Sequence, residues 1–146
     1  MRVSCITPKM LVAKELLDKA LESYFDGAYF AAIHLAGGAE EILGRYVTRI
    51  TGTNNAFKSL QNFAVSISEP QDQDEHDLTH KAIERLMTYA RNRTKHINQA
   101  GDDDVKFDPQ CEAKDLLNRA VTDYYHLMNY VPFEESAVLR RFDELR

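Results

Sequence analysis

Apolar residues recur along this chain at three- and four-residue intervals, the spacing of helices that each hide one side. Leu11, Leu16, Leu17, Leu21 and Tyr24 make the first run, with Thr7 expected as N-cap and Pro8 at the first helical position. Asp26-Gly27 reads as a turn. A second helix is predicted from about Ala28 to Ile50, with Tyr29, Ala32, Ala36, Ala39, Leu43, Tyr46, Val47 and Ile50 on one side. Its apolar arc is the widest, which predicts the central, most buried helix. Gly37-Gly38 weakens an isolated helix by about 1 kcal/mol per glycine, but inside a bundle it permits close backbone approach. Thr51 to Asn55 ends that helix and caps a third, from about Ala56 to Ile67, with Phe57, Leu60, Phe63, Ala64 and Ile67 as its apolar face.

Ser68 to Glu75 reads as a polar linker. A fourth helix is predicted from about Asp77 to Ile97, with Leu78, Ala82, Leu86, Ala90 and Ile97 turned inward. Asp108-Pro109 pairs an N-cap with a first-position proline and opens a fifth helix reaching about Tyr130. Val131-Pro132 breaks it, and a short C-terminal helix from Phe133 to Leu145 completes the chain. Four to five main helices joined by short loops predict an all-α antiparallel bundle, with residues 1–146 as a single domain.

Composition narrows the class further. Apolar residues make up 44% of the 146 and charged residues 28%, which suits a globular chain and not a disordered one. Cys5 and Cys111 are too few for a disulfide framework and read as free thiols. Lys9, Lys14, Glu15, Asp18 and Lys19 interrupt any leader-like apolar run, and no stretch approaches a membrane span. The expectation is a cytoplasmic protein. A net charge of -5 argues against a coat for nucleic acid, while leaving room for a local phosphate site.

Against that acidic background, Arg91-Asn92-Arg93-Thr94-Lys95-His96 gathers three cations and a histidine in six residues. Arginine grips phosphate through a planar fork of donors, and histidine takes or gives a proton near neutral pH. The plainer reading is a solvated basic helix end that complements the helix dipole. On a continuous helix Arg91 and His96 stand about 140° apart, while Asn92 and His96 share a face. Arg93 projects into the apolar arc, so it requires a paired anion or a bound phosphate, unless the helix ends before it. Glu40 falls at the edge of the second helix's apolar arc and is the better candidate to reach an interior polar site, with an ordinary helix-surface carboxylate as the plainer reading. Glu41 lines up with His34 and Arg45 on the opposite side.

The arginine, a polar residue and a histidine five positions on, late in a small helical bundle and ahead of another long helix, resemble the signature of the HEPN superfamily. The small-residue-rich segment Ala31 to Leu43 resembles a helix of the same bundles, and the similarity in helix order spans about Lys9 to Tyr130. The resemblance implies a metal-independent endoribonuclease without a cofactor, whose two protomers bring histidine and arginine together across a homodimer cleft. His96 would then act as acid-base catalyst and Arg91 would hold the scissile phosphate, leaving a 2′,3′-cyclic end. Asn92, Arg93, Lys95 and Glu40 would complete the substrate-binding surface. RNA or a nucleotide is the implied ligand. Some members are toxins whose antitoxin modifies a tyrosine two residues after the histidine; Asn98 stands there in this chain. Other members keep the fold as non-catalytic nucleotide- or protein-binding modules.

A third reading is a metal-binding bundle. His76 and His80 are four apart and share a face, and Asp77/His80 and Asp123/His126 repeat one spacing. Tyr124, Tyr125 and Tyr130 read as packing aromatics, and Asp102-Asp103-Asp104 as a solvated loop.

Overall fold

The computed structural model describes residues 4–96 and 100–146, and among them every regular element is helical. The order is α1 (Lys9–Phe25), α2 (Tyr29–Thr51), α3 (Ala56–Ile67), α4 (Gln73–Arg93), α5 (Pro109–Leu127) and α6 (Ala137–Asp143). The chain is an all-α helical bundle, and no described helix is long and apolar enough to cross a membrane.

Local chemistry sets most boundaries. Pro8 itself is the N-cap of α1 and Thr7 makes no capping bond, so that helix starts one residue later than expected. Gly27 takes a positive φ of 77° and lets α1 fold back into α2 through a tight connection. Asn55 accepts from the Lys58 N–H and Asp108 from the N–H groups of Gln110 and Cys111, fixing the starts of α3 and α5 as their sequences suggest. α4 is displaced from its expected span. Asp72 caps it by accepting from the Glu75 N–H at 2.8 Å, so the helix starts at Gln73 and shortens the polar linker. It ends at Arg93, with Thr94 as C-cap. His96 is therefore off the helix, and its helical projection does not apply. Ile97 and Asn98 lie outside the described residues. α5 stops at Leu127, short of Tyr130, and α6 is a seven-residue remnant of the longer C-terminal helix expected.

α2 is central, as its wide apolar arc predicts. It packs along α1 and α5, and Ala32, Ile33, Ala36, Ala39, Leu43 and Val47 disappear into the core with Leu17, Leu21, Leu117, Val121 and Leu127. Its core face is thus used within the chain, while Phe30 and Ile50 are large apolar side chains of α2 that stay exposed. α6 closes one end through Leu139 and Phe142, the latter edge-on to Tyr24 at 5.6 Å.

α3 and α4 depart from the pattern. They form a hairpin that leans on the core lightly, and the faces buried are not the most apolar ones. α3 buries Gln61 and Val65, while Leu60, Phe63 and Ile67 are exposed. α4 buries only Ala90, and Leu78, Ala82 and Leu86 face solvent. Gln61 is accommodated because its amide donates to the His80 carbonyl at 3.1 Å and meets His80 Nδ1 at 3.2 Å.

Candidate functional site

The interior of the bundle holds a charged network. Glu40, nearly fully buried on α2, receives a hydrogen bond from Nε of Arg119 on α5 and stands 3.6 Å from Nη1 of Arg91 on α4. Arg119 also donates from Nη2 to the Met87 carbonyl at 3.3 Å and lies over the Phe57 ring at 5.5 Å. One carboxylate is thus shared by two guanidinium groups from different helices, which leaves surplus positive charge on the open side, where Arg91 is partly exposed. Asp123, one turn along α5 from Arg119, accepts from the Ala56 N–H at 2.8 Å through Oδ1, and its Oδ2 has no hydrogen-bond partner among the described residues. Burial pushes its carboxyl up to about 6; the nearby Glu40 charge adds to this, and the Ala56 N–H and Arg119 oppose it.

Arg91 opens into a groove of about 600 Å³ between α2, α3 and α4, which Arg45, Arg49, Lys58 and Phe57 also line. Glu41 and Glu84 are its exposed carboxylates, and Glu40 lies at its floor already engaged with Arg119. Gly37 explains how Arg91 lies flat against α2: a Cβ there would stand 2.6 Å from Arg91 Cδ.

His96 belongs to another place. It lines a second groove of about 590 Å³ with Phe30, His34, Arg93, Lys95 and Asp102 to Val105. His34 Nε2 lies 3.2 Å from the Thr94 carbonyl, which ties α2 to the end of α4. Arg93 does have the anion its position demands: it pairs with Asp102 and stacks over Tyr89 at 5.9 Å. Three carboxylates, Asp102, Asp103 and Asp104, offset the cations of this groove. The six residues expected to act together are therefore divided. Arg91 and Glu40 belong to the α2–α3–α4 groove, Arg93, Lys95 and His96 to the other, and Asn92 is exposed without lining either.

Arg45, Arg49, Lys58 and Arg119 are the participants that sequence reasoning passed over. Arg119 had a signal: a lone arginine among Leu116, Leu117, Ala120 and Val121 needs a buried anion. Arg45 and Arg49, four apart on the solvent side of α2, looked like ordinary surface charge.

The histidines considered for a metal do not assemble a site. His76 and His80 stack at 6.3 Å, His80 is engaged with Gln61, and Asp123 is engaged with Ala56. Among the described residues no group of three or more histidine, cysteine or carboxylate side chains is gathered around a common point. Cys5 and Cys111 are free and exposed.

What the fold and site define together is an all-α bundle with a buried Glu–Arg network beneath a cationic groove. Comparisons of the chain with protein-family models, curated proteins and solved structures return no match.

Proposed function

We propose that this chain is a HEPN-like binding module for a phosphate-bearing ligand, a nucleotide or a short RNA segment, held in the α2–α3–α4 groove. The observation carrying this reading is the division of the motif: Arg91 opens beside Arg45, Arg49 and Lys58, whereas His96 opens into a different groove, where Arg93 and Lys95 are offset by Asp102, Asp103 and Asp104. Within one chain, Arg91 therefore has other cations, and not His96, as its neighbours in the groove. Arg91, steadied by Glu40, supplies a fork to phosphate oxygens, Arg45, Arg49 and Lys58 supply further positive charge, and Phe57 offers an aromatic edge to a base. Glu40 is a positioning residue in this reading, since its oxygens are already engaged. A groove of this size suits a nucleotide.

The second reading is the metal-independent endoribonuclease, favoured by one observation: the His96 side chain is exposed beside His34, free to meet a phosphate brought by another surface. A toxin role with an antitoxin partner belongs to that reading.

One assay separates the two. Fluorescein-labelled single-stranded RNA and a fluorescent ADP analogue are titrated in EDTA, and the RNA is then run on a denaturing gel. The module reading expects salt-sensitive binding that Arg91→Lys weakens, with intact RNA. Cleavage that survives EDTA and disappears in His96→Ala establishes the ribonuclease instead. Absence of binding to either probe at millimolar concentration rejects the module.

A further inference from the structure

The outer face of the α3–α4 hairpin inverts the usual logic of an amphipathic helix. Leu60, Phe63 and Ile67 recur at helical spacing on α3, and Phe63 and Ile67 are 61% and 65% exposed. On α4, Leu78, Ala82 and Leu86 follow one another at four-residue intervals, and Leu78 and Leu86 are 70% and 73% exposed. Leu60 and Leu86 line a common groove of about 380 Å³ against α5, so the two stripes meet on one surface. Meanwhile the hairpin turns Gln61 inward. A helix that buries glutamine and exposes its phenylalanine and leucines presents a face meant for something else.

The face also says what covers it. Leu60, Phe63, Ile67, Leu78 and Leu86 are each 45% or more exposed on it, a run of large apolar side chains of the kind that marks an association surface. Leu78 and Leu86 lie one turn to either side of Ala82, a small residue that lets two helices approach closely. The α4 sequence is polarised as well: Asp74 and Glu75 occupy its first turn, and Arg85 lies in its second half on the same outward side. An antiparallel two-fold beside Ala82 therefore sets Leu78 on the partner's Leu86 and brings Glu75 within a turn of the partner's Arg85. A self-complementary arrangement of this kind is what an isologous dimer requires.

We infer that the α3–α4 face is a self-association surface, occupied by a second copy of this chain with the two α4 helices antiparallel about Ala82. This goes beyond the binding reading and leaves the α2–α3–α4 groove open, because Glu84, Thr88 and Arg91, which line it, lie on the opposite side of α4. The same two-fold sends the two His96 residues to opposite ends of the paired helices, tens of ångströms apart.

Light scattering of the full chain at tens of micromolar, with circular dichroism as a fold control, tests the assembly. The expected result is twice the chain mass, reduced to the monomer by Leu86→Glu and by Ala82→Glu with helicity unchanged. Arg85→Glu weakens the dimer, and Glu75→Arg added to it restores association. Ala82→Cys, in a Cys5→Ser, Cys111→Ser background, forms an interchain disulfide on oxidation. A wild-type monomer at 100 micromolar, or a dimer indifferent to Leu86→Glu, overturns the surface. A dimer that yields no Ala82→Cys crosslink overturns the antiparallel geometry.

Discussion

Gly37 lies directly beneath the side chain of Arg91, close enough that an added methyl would stand 2.6 Å from Arg91 Cδ and 3.0 Å from its Cγ. The absence of a Cβ lets an arginine from α4 lie along α2 with its head at Glu40. In Gly37→Ala the helix gains about 1 kcal/mol of intrinsic preference, and the arginine has to lift to relieve the overlap. The expected outcome is a melting midpoint within a few degrees of the parent and at least a tenfold loss of ligand affinity. Thermal melts run beside anisotropy titrations read both. Unchanged affinity would detach Arg91 from binding.

Arg91→Lys keeps the charge and removes the fork. Loss of a charge-assisted bidentate contact predicts a drop in nucleotide or RNA affinity of ~10-fold or more. Arg140→Lys, on the exposed side of α6 beside Glu135, is the control and should bind like the parent. Equal behaviour of the two variants in the same titration would leave Arg91 a structural residue.

Glu40→Ala strands Arg119 in the core without its anion. Breaking a buried pair from one side costs about 3–5 kcal/mol, much of it the desolvated charge left behind. Glu40→Leu combined with Arg119→Met removes both charges and should recover a large part of that loss. Urea melts of the two variants against the parent provide the measurement, and a double variant no more stable than Glu40→Ala contradicts the assignment.

Asp123 has a carboxyl raised to about 6 by burial, so the native state binds its proton more tightly than the unfolded chain does. Its ionisation therefore costs stability above pH 6, and that cost fades as pH falls through 6 toward 4. The size is about 2–3 kcal/mol. Asp123→Asn keeps an acceptor for the Ala56 N–H and has nothing to ionise. Its stability advantage over the parent should be greatest at pH 7 and vanish near pH 4, as denaturant midpoints across that range will show. A constant difference between the two proteins would remove Asp123 from the pH response.

Helix order is legible in the sequence because it rests on local chemistry: Asn55 and Asp108 cap where they stand, and the apolar arc of α2 is wide enough to demand a central position. The ends of α4 are less legible. Asp72 and several later acidic residues compete for one capping role, and only the fold chooses among them. Periodicity shows that Leu78, Ala82 and Leu86 form a stripe, but it carries no information on what lies opposite. Periodicity therefore points this stripe inward, whereas the hairpin turns it to solvent and buries Ala90. The separation of Arg91 from His96 within one chain is hidden from the motif for a similar reason. Arg91 and His96 look like neighbours along the chain, yet the helix ends between them at Arg93 and they open into different grooves.

The contact between His34 and Thr94 has a consequence for which nitrogen of the ring carries its hydrogen. A carbonyl oxygen only accepts, so a neutral His34 bonded to Thr94 must hold its proton on Nε2 and leave Nδ1 as the basic lone pair. The imidazole is thereby fixed as one tautomer by a residue sixty positions away. Its ring nitrogen resonances become a spectroscopic gauge of whether the end of α4 is seated on α2, readable without any ligand or reaction.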